Sequence, residues 1–330
     1  MLWDLHSVTI NSDWNDDNLG ERWQASFGSR PPVEGDAHLA FDLDLISAIP
    51  PPPPGPPQFR QTDLIEYYTE GESVIAHFPR YGQLRLDLAE GITHGEIVRA
   101  ALDTYGVFED LIAIGLSPHL RRRGMYLMHA FAATLTPRPS PVPEQHGDGR
   151  GVLIVGEIGS GKTTTGMALL DAGWKLLSND SPIINATGKI LSYPGLLAAY
   201  PNTLDRFDST RHLIPLTADA NRKETFPAES IWPDVWAESA TPAAILFPQI
   251  EQRDDHALEL LRQPEALRML LPHAIEQWDR DMIPAHLALL NQLVQAAPAF
   301  RLRLGLEMSK LPEAIASILK SGDLAERSDH

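Results

Sequence analysis

Apolar and polar positions alternate with a period of two in three consecutive stretches: Leu64-Ile65-Glu66-Tyr67-Tyr68, Ser73-Val74-Ile75-Ala76-His77-Phe78 and Gln83-Leu84-Arg85-Leu86-Asp87-Leu88. Glu70-Gly71 and Tyr81-Gly82 separate them, so the pattern predicts an antiparallel meander. The spacing then changes to three and four over residues 93–102 and 108–121, which predicts two helices. Thr93 with Glu96 three residues on reads as a capping box opening the first. Residues 125–135 are almost wholly apolar and predict a buried strand, followed by an exposed Pro- and Gly-rich loop over residues 137–150.

Further on, Gly151-Val152-Leu153-Ile154-Val155 has the β-branched composition of a strand buried on both faces. Residues 164–172 then read as a helix with Met167, Ala168, Leu169 and Leu170 on its apolar side and Gly173 as its stop. Lys175-Leu176-Leu177-Ser178-Asn179-Asp180 predicts a short strand ending in an acid. Ile245-Leu246-Phe247 reads as a core strand. Over residues 259–319 the spacing suggests several helices, with Pro264, Pro272, Pro284, Pro298 and Pro312 at or near their ends.

Residues 1–49 carry polar turns and one apolar run at 39–46. Pro50-Pro51-Pro52-Pro53-Pro54-Gly55-Pro56-Pro57 cannot be helix or interior strand, and predicts an extended spacer or surface loop, with a recognition ligand as the alternative. The expected organisation is a β-rich N-terminal region, residues 1–110 with its Pro-rich loop at 50–57, followed by an α/β domain over residues 111–330.

Composition narrows the chemistry. The 330 residues contain no cysteine, which excludes a disulfide scaffold, a zinc ribbon and a thiol nucleophile. Lys and Arg total 27 against 44 Asp and Glu, a net charge of -17, so the overall field repels nucleic acid and anionic membranes. No apolar run is long enough to cross a bilayer. Met1-Leu2-Trp3-Asp4-Leu5-His6 lacks the basic and apolar regions of a secretory signal, which predicts a cytoplasmic chain.

A local site for a small anion is compatible with that field. Gly156-Glu157-Ile158-Gly159-Ser160-Gly161-Lys162-Thr163 matches G-x-x-x-x-G-K-[ST], a P-loop or Walker A pattern, between a predicted strand and a predicted helix. Glycines permit backbone conformations in which successive amides wrap a phosphate, and the helix start adds positive potential. Lys162 is suited to the β- and γ-phosphates and the Thr163 hydroxyl to magnesium. Residues 156–164, including Thr164, are thus the expected contacts for ATP or GTP and Mg2+. Asp180, at the end of the next strand, is expected near the phosphates.

Residues 156–180 resemble a block of the HPr kinase/phosphorylase group and related kinases. That block has a G-x-x-G-x-G-K-[ST] loop, a helix, a glycine-aromatic or glycine-histidine turn and a leucine-rich strand ending in paired aspartates. Leu127-Met128-His129-Ala130 resembles the strand preceding the loop in that group, and Ser192-Tyr193-Pro194 and Ala243–Phe247 fit its layout loosely. The resemblance implies an α/β nucleotide-binding core shared with phosphoenolpyruvate carboxykinase, with a smaller β-rich N-terminal part and C-terminal helices. It also implies an oligomer and ATP-dependent phosphorylation of a hydroxyl on a protein serine or a small molecule.

One departure bears on activity. Asn179 stands where the family pattern has its first aspartate, the implied proton acceptor, and an amide cannot take a proton. Asp180 then serves alone, as magnesium ligand or as base. A catalytically reduced ATP-binding module and a plain ATPase stay open beside the kinase reading.

Other features have plainer readings. His129 stands in an apolar run as a packed histidine or a catalytic one. Arg121-Arg122-Arg123 reads as a solvated last helical turn, with an anion contact as the alternative. Arg222-Lys223-Glu224 reads as a surface cluster or as a reach to the γ-phosphate or an acidic substrate. Asp254-Asp255-His256 reads as a surface turn rather than a metal site.

Overall fold

The computed structural model describes residues 1–28, 32–61, 64–135, 149–251 and 253–327. It divides into two compact units, residues 1–125 with 276–283, and residues 126–275 with 284–330. Both are mixed assemblies of sheet and helix. The loop expected over residues 137–150 lies outside the described residues except for its last two.

The first unit is built from β1 (Leu2–Leu5), β2 (Val8–Trp14), α1 (Asp17–Phe27), β3 (Leu39–Ile46), β4 (Phe59–Gln61), β5 (Ile65–Glu70), β6 (Ser73–Phe78), β7 (Gly82–Asp87), β8 (Ile92–Val98), α2 (Arg99–Asp103) and α3 (Val107–Arg121). The strands form one eight-stranded sheet in the order β1-β2-β3-β8-β7-β6-β5-β4. The meander from β5 to β8 is antiparallel throughout, whereas β2, β3 and β8 run parallel. Asp16 caps α1 by accepting from the Asn18 amide at 2.9 Å, and Leu19, Trp23 and Phe27 form its buried face. Trp23 meets Trp3 edge-on at 5.3 Å and tilts over Phe41 at 5.8 Å.

The predicted helix over residues 93–102 is corrected: residues 92–98 are β8, and only Arg99–Asp103 is helical. Thr93, Gly95 and Ile97 point to one buried side. Pairing with β3 on one edge and β7 on the other satisfies the backbone and overrides the capping-box signal. Gly95 is required there, because a Cβ would stand 2.5 Å from Leu43 Cδ2 and 2.7 Å from Leu84 Cδ2.

Arg121 corrects the solvated reading of the basic cluster. Its side chain is only 2% exposed. Nε and Nη2 donate to Asp279 Oδ2 at 3.0 and 2.7 Å, and Nη1 donates to Ser117 Oγ at 2.7 Å and lies 2.7 Å from Glu276 Oε1. Arg122 adds bonds to both Asp279 oxygens at 2.9 and 3.0 Å. Trp278 lies under the Arg121 guanidinium at 5.6 Å and stacks on Tyr67 at 4.8 Å. Burial works to raise the Asp279 carboxyl pKa, yet the bonds and charges of Arg122 and Arg121 outweigh it and hold that pKa below the usual range.

The second unit contains β9 (Met125–Leu127), β10 (Ala130–Leu135), β11 (Gly149–Val155), α4 (Lys162–Asp171), β12 (Lys175–Ser178), β13 (Ile183–Asn185), β14 (Ile190–Leu191), β15 (Leu197–Ala199), α5 (Pro201–Leu204), β16 (Glu224–Phe226), β17 (Ser239–Ile250), β18 (Ala257–Leu260), α6 (Gln263–Leu270), α7 (Ile283–Ala296), β19 (Ala299–Leu304) and α8 (Leu311–Arg327). The strand expected over residues 125–135 is two strands, broken at Met128-His129. The C-terminal stretch read as helices also contains β18 and β19, whose alternating Arg301 and Arg303 lie on the partly exposed face.

Nine strands form a mixed sheet with the path β12-β10-β11-β17-β14-β13-β9, and β19 pairs with both β17 and β18. In its middle β11 is parallel to β17, which is parallel to β19, while β10 is antiparallel to both β11 and β12. Helix α4 buries Met167, Ala168, Leu169 and Leu170 in a core with Phe131, Val152, Ile154, Leu246 and Leu302. Full burial of such side chains contributes about 1.5–3 kcal/mol each. Gly166 lets α4 approach the sheet, since a Cβ there would lie 2.4 Å from the Phe131 ring. Gly173, at φ +87°, ends the helix. Among the described residues, no helix is long and apolar enough to cross a membrane.

Candidate functional site

Strand directions bring three chain segments to one edge of the second sheet. β11 ends there at Val155, and its antiparallel neighbour β10 begins there, with Ala130 opposite Val155. β12, antiparallel to β10, ends there too, so the Ala130 amide donates to the Asp180 carbonyl at 3.0 Å. His129, residues 156–161 and Asn179-Asp180 therefore share this edge.

Between β11 and α4 the chain turns through Gly159 at φ +83° and Gly161 at φ +105°, left-handed conformations that disfavour any side chain. Gly161 is doubly constrained, because a Cβ would stand 2.4 Å from Leu304 Cδ1. As the residue capping α4, Gly161 offers no side-chain acceptor to the first turn, so those amides keep their potential toward an anion. The buried Ser160 Oγ has no hydrogen-bond partner. Glu157, Ile158 and Gly159 are exposed, and Ile158 is 79% so.

Lys162 is the first residue of α4 and only 9% exposed. Its ammonium donates to the carbonyls of Gly156 and Glu157, the latter at 3.2 Å. Burial lowers its pKa, Lys223 adds to that, and Asp180 and Glu157 oppose it. A largely buried ammonium that donates to neutral carbonyls, beside uncapped amides, is complementary to an anion. Thr163 is half-buried in the same turn, and the Thr164 hydroxyl lies 3.4 Å from that of Thr203.

Across the edge, His129 Nδ1 lies 3.2 Å from Asp180 Oδ1, both side chains being about half exposed. His129 is thus neither a packed core residue nor isolated. The Asn179 amide donates to the Leu196 carbonyl at 3.2 Å, outside that pair. His273, which nothing in the sequence singles out, completes the cluster. Its carbonyl accepts from the His129 amide at 2.7 Å, and its ring lies 6.1 Å from that of His129 and 3.8 Å from Glu157 Oε1. Burial lowers the His273 pKa, with Glu157 opposing and His129 and Lys162 reinforcing. The only residue-type signal was a histidine beside Pro272, too common to be informative.

Among the described residues, no group of three or more His, Asp and Glu side chains is arranged to hold a metal ion by itself. A magnesium ion carried by phosphates needs fewer protein ligands, and a hydroxyl with one carboxylate, as Thr163 and Asp180 offer, is of the right hard-oxygen chemistry. Asp254-Asp255-His256 is spent on structure: His256 Nδ1 accepts from the Gly305 amide at 3.0 Å and Nε2 lies 2.8 Å from the Glu307 carbonyl.

No protein-family model and no curated protein sequence matches the chain. Among solved structures it is similar to the Hpr(Ser) kinase/phosphatase from Coxiella burnetii, at 13% identity and a TM-score of 0.29, over 61% of this chain and 93% of that one. The functional reading therefore rests on the chemistry of this edge.

Proposed function

We propose that the chain is an ATP-dependent phosphotransferase that moves the γ-phosphate of a nucleotide to a hydroxyl acceptor. One observation carries the reading: a doubly left-handed glycine turn feeds an uncapped helix start, with buried Lys162 at its first position and the His129–Asp180 pair on the same sheet edge. The loop amides and Lys162 bind the β- and γ-phosphates. Thr163 and Asp180 hold magnesium, which when bound neutralises phosphate charge.

With Asp180 accepting the Nδ1 proton, His129 exposes Nε2 as its basic nitrogen. The acceptor oxygen forms a bond to the γ-phosphorus while the bond to the β-bridging oxygen breaks, and ADP leaves with that electron pair. The hydroxyl proton passes to His129 Nε2. This arrangement offers a base despite the amide at Asn179, whose side chain is committed to Leu196. That same commitment favours a second reading, nucleotide binding without transfer.

Calorimetric titration with magnesium and a non-hydrolysable ATP analogue tests the binding step. Binding by the wild type and its loss, by about a hundredfold or more, in Lys162→Ala is expected, since a charge-assisted contact to phosphate is removed. Equal affinity in the two proteins overturns the reading. Binding without phosphate appearing on water or on any acceptor moves the protein to the second reading.

A further inference from the structure

The strand order β12-β10-β11-β17, with β19 paired to the far side of β17, gives the glycine turn two different flanks. β10 and β12 bring His129 and Asp180 to one side of β11. β17 and β19 lie on the other side, run parallel to β11 and end on the same edge. The β11–β17 pairing reaches Ile154 and Leu246, whereas β17 continues to Ile250, opposite Leu304 of β19. These two strands therefore project past β11 and stand beside the turn. A Cβ on Gly161 would lie 3.5 Å from Ile250 Cγ1 and 3.9 Å from its Cδ1, ordinary contact distances. Leu304 is buried against the turn, but Ile250 is 64% exposed at its rim.

Among the described residues, six large apolar side chains of the second unit stand exposed, and three of them belong to this edge: Ile158 in the loop, Ile250, and Leu306 just past β19. The Leu306 amide donates to the Arg253 carbonyl at 3.1 Å, which ties the chain leaving β19 to the chain leaving β17. Charged neighbours on this flank are paired with one another, Arg303 and Arg253 lying 3.4 and 3.6 Å from the carboxylate oxygens of Glu251. A single exposed isoleucine needs no explanation. Exposed apolar side chains beside an anion-binding turn are the surface on which the uncharged, planar end of a ligand sits. A nucleotide has that division, with charge at one end and a flat base at the other. When its terminal phosphate points toward His129 and Asp180, its other end leaves on the flank of β17 and β19.

Resting on the phosphotransferase reading, we propose that Ile250, with Ile158 and Leu306, forms an apolar shelf for the nucleoside of the bound nucleotide. The base lays one face on Ile250 and loses water from that face. Inorganic tripolyphosphate fills the turn and meets Lys162 but leaves the shelf bare. Turn and shelf are therefore separable, one holding charge and the other apolar area.

The test compares affinities for tripolyphosphate and for a non-hydrolysable ATP analogue, each with magnesium, in wild type, Ile250→Ala and Ile250→Leu. Lys162→Ala is the reference for loss of the phosphate site. Ile250→Ala should keep its tripolyphosphate affinity and lose about fivefold for the ATP analogue, the scale of the apolar area removed when a partly covered isoleucine is cut back. Ile250→Leu conserves that area and should keep both affinities. An equal fall for both ligands in Ile250→Ala means that Ile250 props the turn and overturns the shelf. Unchanged affinity for both, or a loss in Ile250→Leu as large as in Ile250→Ala, overturns it too, and each of these leaves the nucleotide reading intact. Wild type that binds neither ligand, or tripolyphosphate alone, overturns both readings.

Discussion

Two clusters of charged side chains, each around a buried cation, can be set side by side. In the first unit, Arg121 is buried with four short contacts to Ser117, Glu276 and Asp279, and Arg122 completes the carboxylate. In the second, Lys162 is somewhat less buried and bonds to loop carbonyls, while Asp180 and His129 stand half exposed. The first cluster has its charges matched by direct ion pairs, whereas in the second Lys162 donates to loop carbonyls and feels Asp180 and Glu157 through their charge. Matched buried charge holds structure, and its disruption is costly. Unmatched charge at an open edge is available to a ligand.

Replacing Arg121 with Ala breaks the comparison most directly. It removes the buried cation beside Glu276 and Asp279, of which the second keeps Arg122 and the first keeps Ser117 and Trp278, and should lower the unfolding free energy by about 3 kcal/mol, read from urea melts. A loss under one kilocalorie would mean that the network is not a structural clamp.

Asp180→Asn probes the other cluster. Transfer to the acceptor should fall by about a hundredfold or more, the scale of a lost base or its partner. The urea midpoint should stay within the narrow range of surface substitutions. A destabilised but fully active variant would reverse the roles of the two clusters.

The smallest effect is one of pH. His119, buried in α3 with Nε2 at 3.0 Å from Thr93 Oγ1, is pushed down to about 4 by burial first and then by Arg123 and Arg122. Between its ordinary value of 6.5 and about 4, the unfolded chain takes a proton that the folded chain refuses. Stability should therefore decline as pH falls through that window, and His119→Gln should flatten the decline. Asp279, held low, adds a further loss at more acidic pH, as its carboxylate is protonated in the folded state. A wild-type stability that is level from pH 6.5 to 4 would contradict the His119 assignment.

Local patterns were legible wherever one periodicity dominated. β5, β6 and β7 alternate cleanly because one face is apolar, and residues 151–155 announce a strand buried on both sides. β8 was misread because Thr93, Glu96 and Ile97 satisfy a helical spacing as well as an alternating one, and only the neighbours β3 and β7 decide between them. Arg121 was misread for a related reason. Its partners Glu276 and Asp279 lie far along the chain, and no local signal marks a basic side chain as buried.

The candidate site divides along the same line. The glycine turn, Lys162 and Asp180 lie within one contiguous block and could be named from it. His129 was visible only as a histidine in an apolar run. His273 reaches the edge at the end of a 3-10 turn, Leu271–His273, so its meaning lies in tertiary placement.

The segment Glu276–Ile283 belongs to the first unit although the chain on either side belongs to the second. During synthesis the first unit thus has Arg121 in hand well before its counter-charges exist, for on the order of ten seconds at ordinary elongation rates. Final locking of that unit must await translation through Ile283. An expression fragment ending at residue 125 would lack Glu276, Trp278 and Asp279, and so both counter-charges of Arg121 and the ring beneath it. The ionic clamp is therefore also a checkpoint in assembly, closing the first unit only after most of the second has been made.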